Sequence, residues 1–132
     1  MTPDSSVVVA AFSSWNVHHE AAVHALGDLR DLIAHVEIET YSVLTRLPEP
    51  MRADPALVAQ YLRDDFIGKR LSLGESEQRE LVGRFAHLSI SGGAVYDALV
   101  AATADHHGHA LLSCDRRAAA TYEKLGVEVA YI

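Results

Sequence analysis

Residues 110–132, with the sequence ALLSCDRRAAATYEKLGVEVAYI, contain two apolar runs on either side of a helical pattern. The run Ala110–Ser113 predicts a short buried strand, and the alternation in Val127–Ile132 predicts a closing strand. Between them, Arg116–Leu125 has helical spacing and ends at Gly126, a residue type favoured just after helices. Short strands that alternate with helices indicate an α/β fold with a parallel sheet.

The preceding residues continue this alternation. Helices are predicted over His18–Leu32, Glu37–Leu47, Asp54–Phe66 with Asp54 as N-cap, Glu77–His87 with Ser76 as cap, and Ala94–His107 ended by Gly108. Leu32–Val36 is short enough for a strand, whereas Ser6–Phe12 fits either a strand or a helix. Pro48–Pro55 and Gly68–Glu77 are predicted loops, and residues 1–132 are expected to form a single domain.

Composition restricts the classes of function. The chain has 132 residues, is 49% hydrophobic and has one cysteine, Cys114, so its core needs no intramolecular disulfide. Eleven Lys and Arg against eighteen Asp and Glu give a net charge of −7, the wrong sign for binding nucleic acid by general electrostatics. No apolar run is long enough for a membrane span and no signal peptide precedes Asp4, so we expect no membrane partner and a cytoplasmic location.

Four carboxylates lie where the predicted elements would carry them to one edge of the sheet: Asp4, Glu39, Asp97 and Asp115. Each lies among apolar residues, and a buried carboxylate is costly unless it has a partner. Oxygen ligands from several elements are what Mg²⁺ or Mn²⁺ selects. Taken singly, each acid has a simpler explanation as a helix cap or a solvated charge; Asp4 and Asp115 both precede predicted helical turns.

Four segments in order along the chain carry a family resemblance: Asp4-Ser5-Ser6 before an apolar run, Glu39–Arg46, Gly93–Leu99 and Leu111–Arg117. Together with the final strand they resemble the PIN-domain ribonucleases, in particular the VapC toxins of bacterial toxin–antitoxin pairs. The resemblance implies a PIN-like three-layer α/β/α sandwich with a central, mostly parallel sheet. Two features depart from the pattern: only three residues precede Asp4, and Ser113 stands where the family often has Thr.

The resemblance also implies an activity, a metal and partners. It predicts an Mg²⁺- or Mn²⁺-dependent endoribonuclease with Asp4, Glu39 and Asp97 as principal ligands, and Asp115 holding a second metal or a bridging water. Ser6 and Ser113 would support the cluster by hydrogen bonds. It implies a VapB-like antitoxin, an RNA substrate and a homodimer in the bacterial cytoplasm.

Several choices depend on individual residues. Glu37 competes with Glu39, but two residues apart on a helix they point in nearly opposite directions, and the spacing to Arg46 favours Glu39. Arg46, Arg116 and Arg117 are candidate RNA contacts, with a solvated surface as the alternative. Trp15, Phe12 and Val17 are either core residues or part of a groove for the antitoxin.

Two rival functions remain from the sequence alone. One is a catalytically silent PIN-type RNA-binding or scaffold module, whose sign would be a missing acid. The other is a receiver-like phosphoacceptor domain, which needs paired acids near the N-terminus, whereas Asp4 stands alone. The histidines at positions 18, 19, 24, 106, 107 and 109 are expected to be surface residues rather than zinc ligands.

Overall fold

Helices and short strands alternate throughout the computed structural model, which describes residues 1–132. The strands are β1 (Thr2–Pro3), β2 (Leu32–Ile33), β3 (Arg70–Leu71), β4 (Leu111–Ser113) and β5 (Val129–Tyr131). The α-helices are α1 (Ser5–Phe12), α2 (His19–Leu26), α3 (Ala34–Thr45), α4 (Pro55–Asp65), α5 (Glu75–His87), α6 (Ala94–His106) and α7 (Ala119–Leu125). A 3₁₀ turn, Arg116–Ala118, precedes α7.

The sheet is parallel and consists of two hydrogen-bonded parts. β1, β4 and β5 form one part in that order, and β2 pairs with β3 to form the other. The N–H groups of Thr2 and Asp4 donate to β4, at the carbonyls of Ala110 and Leu112. Successive N–H groups of a strand point to opposite sides, so the N–H of residue 3 would be the one that faces β2. Residue 3 is a proline and has no N–H to donate. Pro3 therefore explains why the ladder is interrupted between β1 and β2.

The helices fall into two groups by their contacts. α1 packs against α2 and α3, and α3 also packs against α4, whereas α6 packs against α5 and α7. A contact between α3 and α6 joins the two groups. Buried apolar residues from these helices and from the strands form one cluster. This arrangement agrees with the predicted three-layer α/β/α sandwich. None of the helices combines the length and the apolarity that crossing a membrane requires.

The first ambiguous segment is helical. α1 starts immediately after Asp4, whose carboxylate accepts hydrogen bonds from the N–H groups of Ser6 and Val7. This N-cap satisfies two of the helix's free donors and outweighs the strand preference of the valine run. Asp54 caps α4 as predicted, accepting from the N–H of Ala56 at 2.9 Å.

Other boundaries differ from the sequence predictions. α2 ends at Leu26 rather than Leu32, because Gly27 leaves the helical conformation at a φ of 44°. The strand predicted at Leu32–Val36 is only Leu32–Ile33, and α3 begins at Ala34. Ser76 does not cap α5; Gly74 occupies the N-cap position, without a side-chain hydrogen bond.

The predicted loop Gly68–Glu77 contains strand β3, which the sequence analysis missed. Arg70 and Leu71 pair with Leu32 and Ile33. Two residues are too few to show an alternating pattern. The strand forms because β2 offers an adjacent edge, which is information from the tertiary structure.

Candidate functional site

Asp4 lies at the junction of β1 and α1 and is 4% exposed. Besides the two N–H groups of α1, its Oδ1 accepts a short hydrogen bond from the Ser6 hydroxyl. Burial raises the pKa of Asp4, while hydrogen bonds from Ser113, Ser6, Tyr122 and the N–H of Val7 act in the opposite direction. All of these donors are neutral, so the buried carboxylate has no cationic protein partner.

Tyr122 is a site residue that the sequence analysis missed. Its hydroxyl donates to Oδ2 of Asp4 at 2.8 Å from the buried face of α7. Burial, followed by the charge of Asp4 and this hydrogen bond, raises the pKa of Tyr122. The available signal was the spacing of Ala118, Tyr122 and Leu125, which places a tyrosine on an apolar helix face where its hydroxyl needs a partner.

Asp97 lies in the first turn of α6 and forms no hydrogen bond or ion pair with another side chain. Burial, followed by the charges of Glu39, Asp115 and Asp4, raises the pKa of Asp97 to about 6. The other three predicted acids thus act directly on this carboxyl group. The fold brings all four acids into one electrostatic neighbourhood, from the junction of β1 and α1, from α3, from α6 and from the residues after β4.

Glu39 is held on both carboxylate oxygens. Its Oε1 accepts from the Ser5 hydroxyl at 2.7 Å, and its Oε2 lies 3.2 Å from Nε2 of His35, one helical turn earlier. Glu37 instead forms an ion pair with Arg70, which also donates to the carbonyls of α4 and its C-cap. The structure therefore separates the two glutamates as the helix geometry required.

Asp115 follows β4 and caps the 3₁₀ turn. Both of its oxygens accept from the Arg117 guanidinium, at 3.1 Å each, and the Arg117 N–H donates as well. The side-chain hydrogen bond from Arg117 is the main reason that the pKa of Asp115 lies below its ordinary value. Asp115 is thus both a cap and a member of the acid group.

The two predicted supporting serines connect these segments. The Ser6 hydroxyl donates to Asp4 and accepts from the N–H of Cys114 at 2.9 Å, which joins α1 to the end of β4. The Ser113 hydroxyl accepts from the N–H of Asp115 at 3.0 Å and sets the direction of the turn that follows.

A groove of about 380 Å³ opens beside Glu39 and Asp97. Its walls include His35, Arg46 and Tyr96. Arg46, a predicted basic contact at the C-cap of α3, donates to the Ser42 hydroxyl at 3.1 Å and lines the same groove. One cation therefore lines the same groove as two of the four acids.

The remaining candidate residues lie elsewhere. The Arg116 guanidinium lies 4.6 Å from the centre of the Tyr131 ring. Trp15 and Val17 are 52% and 90% exposed, whereas Phe12 packs against the ring of Tyr61 instead of forming a groove with them.

Carboxylates are the type of ligand that a hard cation binds. The side chains of these acids do not, however, form a complete coordination sphere. No three carboxylate, histidine or cysteine side chains converge closely enough to enclose an ion as they stand. Asp97 has no hydrogen bond or ion pair, although the charge of Arg117 partly offsets the rise in its pKa, and Asp4 has only neutral partners. Carboxylates deprived of cationic partners are the donors that Mg²⁺ and Mn²⁺ prefer, and Mg²⁺ commonly keeps several waters in its shell.

Comparison with known proteins agrees with this geometry. The PIN domain family model matches residues 1–124. The fold resembles that of a chain in the structure of FitAB bound to an IR36 DNA fragment, with a TM-score of 0.69 and 18% identity over 98% of this chain and 93% of that chain. The chain belongs to the PIN-domain family.

Two relatives define its place within the family. Ribonuclease VapC40 of Mycobacterium tuberculosis is 50% identical over 129 residues, which cover 98% of this chain and 96% of that protein. Ribonuclease VapC27 of the same organism is 43% identical over 120 residues, which cover 91% of this chain and 80% of that protein. The protein is thus a VapC-type ribonuclease toxin.

Proposed function

We propose that this ribonuclease is an endonuclease that depends on Mg²⁺ or Mn²⁺ held by Asp4, Glu39, Asp97 and Asp115. The observation that carries the proposal is Asp97, whose pKa is raised to about 6 by burial and by the other three acids, while the charge of Arg117 offsets this only in part. A bound cation would remove this repulsion. It would also lower the pKa of water and offset negative charge on the leaving 3′ oxygen of a phosphodiester.

The four acids have different protein partners, so we assign them different roles in binding the metal. Asp4 is fixed by the hydroxyls of Ser6 and Tyr122 and offers a rigid, buried ligand. Asp97 has no side-chain hydrogen bond to break when it binds an ion. Asp115 shares its charge with Arg117 and suits a more distant ligand or a water-mediated one.

RNA is the proposed substrate, bound next to the acids rather than by the whole surface. A net charge of −7 opposes general attraction of phosphates, so local cations must provide the contacts. Arg46 lines the groove beside Glu39 and Asp97, and Arg117 pairs with Asp115, so these two cations are the proposed phosphate contacts. Arg116, whose guanidinium lies on the Tyr131 ring, is the third candidate.

The test is cleavage of a labelled RNA pool by the purified protein with chelator, with Mg²⁺ and with Mn²⁺. We expect internal cuts only with the added ions, and loss of cutting when chelator is restored. Cleavage that persists in chelator would contradict the metal assignment. RNA binding without any cleavage under all three conditions would instead favour the silent PIN-type module.

The proposed partners are a VapB-like antitoxin and a second copy of the chain in a bacterial cytoplasm. Four carboxylates that act on one another in a protein of net charge −7 make a site that attracts cations. We expect the antitoxin to inhibit in part by placing a basic side chain there. Its affinity should fall with rising salt and with Asp97→Asn; indifference to both would leave the exposed Trp15 and Val17 as the main contact.

A further inference from the structure

The Tyr96 ring lies flat against the imidazole of His35 at the edge of the acid cluster. The ring centroids are 5.5 Å apart and the planes differ by 4°. Tyr96 is 58% exposed, so much of the ring remains open to solvent. His35 is held in turn by Glu39, 3.2 Å away. One face of the Tyr96 ring is therefore covered by a side chain that is itself bonded to the acid cluster, and the other parts of the ring are open to a ligand.

The surroundings of this ring suit a nucleotide better than a protein helix. Tyr96 immediately precedes Asp97 in the chain, and both line the groove of about 380 Å³ that also contains Arg46. Only two of the eight lining residues, Ile38 and Tyr96, are hydrophobic. An apolar helix face needs a broader apolar surface, whereas a nucleotide needs a flat ring for its base and a cation for its phosphate.

We propose that Tyr96, backed by His35, stacks on a base of the RNA strand next to the phosphate that is cleaved, and that Arg46 contacts a neighbouring phosphate. This inference rests on the proposed function and adds a residue that selects unpaired RNA. Because stacking needs a base with an accessible face, a base inside a duplex is excluded.

Stacking also provides affinity for RNA that does not depend on a positively charged protein surface. The acids that hold the cation repel phosphates, and the net charge of −7 gives no long-range attraction to compensate. Contact between a base and an aromatic ring does not depend on charge and tolerates different sequences. Tyr96 thus supplies affinity at the point where electrostatics oppose binding.

The experiment uses a short single-stranded oligouridylate with one 2-aminopurine, whose fluorescence is quenched on stacking. Binding is measured with Ca²⁺ in place of Mg²⁺, and cleavage of the same RNA is measured with Mn²⁺. Tyr96→Phe should keep the quench and the affinity. Tyr96→Leu should abolish the quench and raise Kd about 5- to 150-fold, with a matching rise in KM. Tyr41→Leu is the control, because Tyr41 is 40% exposed on the same helix as His35 but does not line the groove.

Each result decides between this inference and the function on which it depends. If wild type cleaves RNA while Tyr96→Leu keeps its quench, Kd and KM, the stacking role is wrong and the ribonuclease assignment stands. Equal losses in Tyr41→Leu and Tyr96→Leu would also refute a specific role. If Tyr96→Leu weakens antitoxin binding alone, the ring belongs to a protein interface. Failure of wild type to bind or cleave RNA would overturn both proposals.

Discussion

The hydroxyl of Tyr122 donates a hydrogen bond to Oδ2 of Asp4 at 2.8 Å, although the two residues are 118 positions apart. The contact joins α7 to the N-cap of α1 across β4, inside the core. Both side chains are nearly inaccessible, at 2% and 4% exposure. The proposed ligand with the least freedom is therefore positioned by the opposite end of the chain.

Removing this hydroxyl should destabilise the protein and the site together. Tyr122→Phe leaves Asp4 buried with one donor fewer, at a cost of about 1–2 kcal/mol in the free energy of unfolding. Because the hydroxyl lowers the pKa of Asp4, its contribution is largest when Asp4 is ionised. The loss measured by urea denaturation should be larger at neutral pH than near pH 4.

A matched control is Tyr131→Phe, since the Tyr131 hydroxyl forms no hydrogen bond and its ring contact with Arg116 survives. We expect this variant to unfold as wild type does. Equal destabilisation of the two variants, or a loss in Tyr122→Phe that does not change with pH, would show that the hydrogen bond to Asp4 is not the cause.

Glu39 and Glu37 should give opposite phenotypes. Glu39→Gln can keep its contacts with Ser5 and His35 but removes the negative charge. Residues that only orient a metal ligand account for about 10- to 100-fold of activity. Loss of a ligand's charge should therefore lower the cleavage rate by more than about 100-fold. Asp4→Asn and Asp97→Asn should do the same. Glu37→Gln should cleave RNA normally but lose about 1 kcal/mol of stability, because Arg70 loses its partner.

Cleavage rates at saturating Mn²⁺ and urea midpoints for the glutamate variants test this separation. A Glu37→Gln protein that is folded but inactive would exchange the roles assigned to the two glutamates.

Arg117 should compete with metal for Asp115. The guanidinium binds both carboxylate oxygens and is fully exposed, so its removal frees Asp115 without opening a cavity. Arg117→Gln should tighten Mn²⁺ binding about two- to fivefold, as for loss of an exposed ion pair. Arg116→Gln is the control, since Arg116 lies on the Tyr131 ring. Unchanged or weaker Mn²⁺ binding by Arg117→Gln in a titration would place Asp115 outside the metal site.

The parts of the fold that the sequence predicted are those with several local signals. α4 has an N-cap, a first-turn proline and helical spacing, and it begins where expected. β3 has two residues and no pattern, and it exists because β2 provides the partner edge. α1 carries conflicting signals, and its N-cap, Asp4, decides between them.

The site follows a similar division. The sequence predicts the four acids as one group, because Asp4 and Asp115 follow strands, Asp97 lies in the first turn of α6, and the family resemblance adds Glu39 from within α3. Their role as metal ligands stays a prediction. Their protein partners cannot, because Ser5 reaches Glu39 and Tyr122 reaches Asp4 only after the elements pack. The same acid can be both a helix cap and a member of the acid group. Asp4 and Asp115 each cap a helical turn, and their charges also raise the pKa of Asp97.

The last prediction concerns the stability cost of Asp97. Its pKa in the folded protein is raised from 3.8 to about 6, so the folded state holds this proton more tightly than the unfolded chain does. The repulsion between the Asp97 carboxylate and the other acids is absent below the pKa that Asp97 has in the unfolded chain. It grows as pH rises from about 4 to about 6, and it is complete above that range. In chelator, Asp97→Asn should therefore match wild type near pH 4 and be more stable above pH 6, by about 1–2 kcal/mol after solvent screening.

Bound metal should make wild type more stable than Asp97→Asn. Saturating Mn²⁺ at about 100 times its Kd should add about 2.7 kcal/mol to wild type, and clearly less to Asp97→Asn, which lacks one ligand. Asp105→Asn, an exposed acid at the other end of α6, is the control and should gain as much as wild type. Thermal melts of the three proteins with chelator and with Mn²⁺ make the measurement. If Asp97→Asn gains as much from Mn²⁺ as wild type, Asp97 is not a ligand and the proposed metal site is wrong.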